Sequence, residues 1–112
     1  MEHDHYANNI LVKYITDEHY LFLSRFVTIE SFCKSDEHKK QLSDIKEKKQ
    51  KCIDEIKKHT DDMNFVFSMM GDPTYTLNLL LLNDLFYASY NKVTHLVGEL
   101  RDEYRKLLDL LQ

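Results

Sequence analysis

The chain has 112 residues, 43% hydrophobic and 30% charged, with a net charge of −4, a balance that excludes disorder and gives no general attraction to nucleic acid or anionic membrane. Two glycines and one proline leave room for few turns, so a single all-α domain of long elements is predicted. Two cysteines, neither in a CxxC, exclude a disulfide framework, and Cys33 and Cys52 read as reduced structural thiols.

The first five residues, Met1-Glu2-His3-Asp4-His5, have neither the charge pattern of a transit peptide nor the apolar core of a signal peptide. From Tyr6 to Cys33 no glycine or proline occurs, and apolar residues recur at Ala7, Leu11, Ile15, Phe22, Phe26, Ile29 and Cys33. Thr16-Asp17-Glu18 has the form of an N-cap followed by first-turn acids. Two readings follow, one long helix with a polar interruption or a break there, and the break is favoured, with helices over about 6–14 and 17–33.

Ser35-Asp36-Glu37 repeats the start signal and predicts a helix over 36–69. Its seam, Leu42, Ile45, Lys49, Cys52, Ile56, His59, Met63, Val66 and Met70, advances in steps of three and four, heptad-like with two polar insertions. Gly71-Asp72-Pro73 marks the next joint, with Asp72 as N-cap and Pro73 at the first helical position. The last helix, 73–111, carries Leu79, Leu82, Phe86, Tyr90, Val93, Val97, Leu100, Tyr104, Leu107 and Leu111 at the same spacing. Together these elements predict a single antiparallel helical bundle of three long or four unequal helices, with coiled-coil-like seams.

One segment exceeds the needs of a bundle. Between Leu77 and Tyr87 the last helix is apolar nearly all round, a belt where a surface helix needs a stripe. This assigns Leu77, Leu80, Leu81, Phe86 and Tyr87 to a partner-binding surface, with Lys48, Lys51 and Lys58 tuning partner choice by charge. The run is interrupted by Asn78, Asn83 and Asp84, too polar and too short to span a bilayer. The expected protein is soluble, cytoplasmic or otherwise intracellular, in its own cell or in a host, and does not engage a membrane. Its tyrosine-, asparagine- and lysine-rich composition suits an AT-rich genome such as that of a virus or mobile element.

Three other chemistries compete with this one. Glu2-His3-Asp4-His5 holds ExxH and HxH spacings found among metal ligands, but a di-iron bundle needs a second ExxH on another helix, and none exists. Asn91-Lys92-Val93-Thr94-His95 resembles the N-x3-H part of the R-N-x3-H motif of the HEPN ribonucleases, which are helical bundles. That resemblance would make His95 a nuclease residue, although Tyr90 stands where the motif has its arginine. Eight lysines between Lys39 and Lys58 form a locally basic helix, an alternative nucleic-acid face that lacks arginine and interleaved aromatics. No catalytic, cofactor or metal constellation is assigned. The expected function is non-enzymatic: a small adaptor, regulator or inhibitor binding a protein partner, or itself as a homodimer.

Overall fold

The computed structural model describes residues 2–72 and 79–112. It is all-α. Helices α1 (Glu2–Ser24), α2 (Phe26–Ser31), α3 (Asp36–Met70) and α4 (Leu79–Leu111) form a bundle 59 Å long, and no strand occurs among the described residues. Pro73, expected at the first position of the last helix, and Leu77, expected at a partner-binding surface, lie outside the described residues.

Helices α3 and α4 make the largest interface and run antiparallel: Lys48 faces Glu103 and Cys52 faces Glu99. Helix α1 lies on α3, also antiparallel, with Asn8 against Met63 and His19 against Gln50. It therefore runs parallel to α4, which it meets near the start of both helices, where Tyr87 donates to Asp4 at 2.7 Å.

The expected break at Thr16 does not occur. Helix α1 continues through Asp17 and Glu18, which are solvated on its outer surface, and no glycine or proline interrupts its backbone ladder there. The actual break falls at Arg25, whose N–H is shared between the carbonyls of Leu21 and Phe22 at 3.2 Å each. The short α2 follows, and its Phe26 and Ile29 close the end of the bundle. Helix α3 is capped by Ser35, whose Oγ accepts from the N–H of His38 at 3.2 Å.

The core has two parts. One joins Val12 of α1 to Cys52, Ile53, Ile56, Met63 and Val66 of α3 and Leu82, Phe86, Val93, Leu96 and Leu100 of α4. The other gathers Phe22, Cys33, Leu42, Ile45 and Leu107 at the α2 end. Each fully buried side chain among them stabilises the fold by about 1.5–3 kcal/mol. In α1 the buried face is Asn8, Val12, His19 and Phe22. The apolar series through Ala7 and Leu11 faces the flank instead, because Asn8 and His19 are polar residues placed in the interior.

Candidate interaction surfaces

Three buried polar residues, one from each long helix, separate the two parts of the core. His19 falls between Val12 and Phe22, Lys49 between Ile45 and Cys52, and Glu103 between Leu100 and Leu107. His19 Nε2 and Gln50 Oε1 are 2.9 Å apart, while His19 Nδ1 has no partner. The Lys49 ammonium lies 4.2 Å from the centre of the Phe22 ring. Burial pulls its pKa below the ordinary lysine value, and Glu18 and Glu103 oppose that shift. Glu103 Oε1 accepts from Lys106 at 3.0 Å and lies 3.9 Å from Lys48, leaving Oε2 buried without a partner. The lysine insertion on the α3 seam is therefore interior. Glu103 gave no such signal, because the apolar spacing of α4 can be traced through Tyr104 instead.

The basic helix is not a uniform positive face. Lys46 lies 4.4 Å from the Phe26 ring, and Lys57 donates to Tyr20 Oη at 3.1 Å. Lys48 and Lys51 share a shallow depression of about 420 Å³ with Glu55, Glu99 and Asp102. Acids of α4 thus stand opposite two of the three lysines assigned to partner binding, and Lys58 is exposed.

The apolar belt divides. Phe86 is fully buried, a correction to its assignment at a contact surface: its ring fills the core, 5.2 Å from that of Tyr87. Tyr87 is half-buried, and its hydrogen bond to the Asp4 carboxylate raises the pKa of its phenol. Leu80, Leu81 and Leu85 are exposed on α4, and Phe65 is exposed on α3. Phe65 and Leu85 line a groove of about 350 Å³ floored by Val66, Met69 and Leu82. The apolar belt pointed to Leu81; Phe65 is added to this surface only because α3 folds back along α4.

The histidines are dispersed. His5 stacks on Phe67 with ring centres 4.0 Å apart and its Nε2 lies 3.3 Å from Asn9 Nδ2, whereas His3 is exposed. His95 is exposed and lies 3.2 Å from Glu99. It shares an open depression with Asn91, Lys92, His59 and Glu55, and His59 is engaged with Asp62 at 3.9 Å. Among the described residues no three His, Cys, Asp or Glu side chains are grouped to hold a metal ion, and no helix is long and apolar enough to cross a membrane.

The chain matches no protein-family model, no curated protein and no solved structure.

Proposed function

We propose that this protein is a non-enzymatic interaction module that binds a protein partner through the apolar surface where α3 and α4 meet near residues 65–85. What carries the reading is the contiguity of exposed Phe65 and Leu85 around the Val66–Leu82 groove, with Leu81 exposed one turn before Leu85. Large apolar side chains grouped around a concave floor are the usual anchors of a protein interface. The charged residue lining this groove is Asp62, and Lys58 stands two turns before Phe65 on the same helix; such charges steer partner approach, contributing more to selectivity than to affinity.

The test is affinity capture from the protein's native cells with wild-type chain and with Leu81→Asp and Phe65→Asp variants, each checked for unchanged helicity by circular dichroism. One partner, held by the wild type and lost from both folded variants, is the expected result. Equal capture by all three chains overturns the assignment of this surface.

A further inference from the structure

We infer that the chain forms a two-fold dimer in which the outer face of α1 packs antiparallel against α4 of a second copy. The starting observation is an unfilled groove. Helices α1 and α4 are parallel and leave between them a cleft of about 210 Å³ walled by Leu11, Tyr14, Val97 and Tyr104 and floored by Lys49 and Ile53. The apolar surface extends past the cleft on both helices: Ile10, Tyr14, Leu21, Tyr104, Leu108 and Leu111 are between 42% and 64% exposed.

What identifies the occupant is a match between the two helices. Reading forward, α1 presents Ala7, Ile10, Tyr14, Asp17 and Leu21; reading backward, α4 presents Leu111, Leu108, Tyr104, Arg101 and Val97. Both advance in the steps three, four, three, four, which keep one helix face in contact with a partner helix. Laid antiparallel, the two series set Ile10 against Leu108, Tyr14 against Tyr104 and Leu21 against Val97. In the same alignment the one acid meets the one base, Asp17 against Arg101. Among the described residues neither Asp17 nor Arg101 has an ion-pair partner within its own chain. The chain cannot make this alignment with itself, since its own α1 and α4 are parallel. A second copy related by a two-fold axis makes it twice, as an isologous interface requires. Charge agrees: the groove offers Lys49 and Arg101 against the single carboxylate of Glu18, and the incoming α1 brings Asp17.

This surface is distinct from the Phe65–Leu85 groove, so each can fail alone. The experiment is light scattering behind size exclusion over a concentration series to about 1 mM, a range that covers weak, standard-sized interfaces. The expected mass is twice 13.4 kDa. Asp17→Arg alone and Arg101→Asp alone should each weaken the dimer by about tenfold or more, since each sets like charges together, and the double exchange should restore it. Tyr14→Asp should give a folded monomer, and Leu81→Asp should leave the dimer intact. A wild-type monomer throughout overturns the inference. So does a dimer indifferent to both single charge reversals, or one lost in Leu81→Asp.

Discussion

The ammonium of Lys49 stands 4.2 Å from the centre of the Phe22 ring, at the floor of the α1–α4 cleft and largely withdrawn from water. A ring face returns about 0.5–2 kcal/mol to a desolvated cation, less than the several kcal/mol its dehydration costs. Lys49→Met keeps the aliphatic stem and removes the charge, so it should stabilise the fold by roughly 1–2 kcal/mol. Glu103→Leu alone should destabilise, because it withdraws the carboxylate that partly neutralises Lys49, and adding Lys49→Met should reverse that loss. Urea midpoints of the two single variants and the double variant measure the coupling.

The same lysine makes stability depend on pH in a definite direction. Its pKa in the folded chain lies below the ordinary 10.5, so between those values the unfolded chain binds the extra proton. Stability should therefore rise with pH across that window, a rise absent from Lys49→Met. Cys52 acts oppositely. Its thiol is pushed from 9.0 up to about 11, mainly by burial and then by the carboxylate of Glu99, so the folded chain holds the proton longer and stability falls across that interval. Urea titrations of wild type, Lys49→Met and Cys52→Ala from pH 8 to about pH 11 separate the two slopes.

Cys52 should also be slow to alkylate. A shift from 9.0 to about 11 leaves about 100-fold less thiolate near neutral pH, and its sulfur is engaged with Glu99 Oε2 at 3.6 Å. Iodoacetamide labelling of the native protein at pH 8, followed by mass spectrometry, should modify Cys52 far more slowly than an unstructured peptide thiol. Glu99→Gln should speed the reaction. Labelling of native Cys52 at the rate of an unstructured peptide thiol would contradict this environment.

Phe86 and Leu81 lie five residues apart on α4 and should respond in opposite ways. Phe86→Ala opens a cavity in the larger part of the core and should cost about 3–5 kcal/mol. Leu81→Asp changes a half-exposed position and should stay within about 0.5 kcal/mol of wild type. Thermal unfolding of the two variants checks the division of the belt into core and surface.

Ser35→Ala should cost about 1 kcal/mol, since Ser35 Oγ satisfies the first-turn N–H of His38 on the helix that the rest of the bundle packs against. Ser35→Asp should retain most of the stability, as a carboxylate accepts the same bond and favours the positive end of the helix dipole. Loss in both variants would place the effect elsewhere than in the cap.

The all-α fold was legible because Leu42, Ile45, Cys52, Ile56, Met63 and Val66 keep the helical step without turn residues among them, and all are buried. Helix α1 was less legible. Its interior face includes Asn8 and His19, which a hydrophobicity pattern discards, while Ile10, Tyr14 and Leu21 lie exposed on its outside. Thr16-Asp17-Glu18 imitated a helix start because caps and solvated acids use the same residues. At the candidate surface, Leu81 was within reach of the sequence as part of the apolar belt that exceeds a helical stripe. Phe65 was not, since only the fold brings α3 beside it.

The polar set His19, Lys49 and Glu103 has a consequence for which arrangement of the bundle is permitted at all. Seams that repeat every three and four residues are nearly unchanged by a slide of seven, so apolar contacts alone would allow several alignments of α3 and α4. A slide of one heptad in either direction would bring Lys49 against Leu96 or Leu110. It would drive Glu103 among Leu42 and Ile45, or among Ile53 and Ile56. Either offset takes Glu103 away from Lys48 and Lys49 and sets it against apolar side chains, leaving Lys106 of its own helix as its counter-charge, a desolvation cost that the native alignment reduces. Lys49 and Glu103 thus forfeit some stability and favour one alignment of α3 on α4 over its heptad-shifted neighbours.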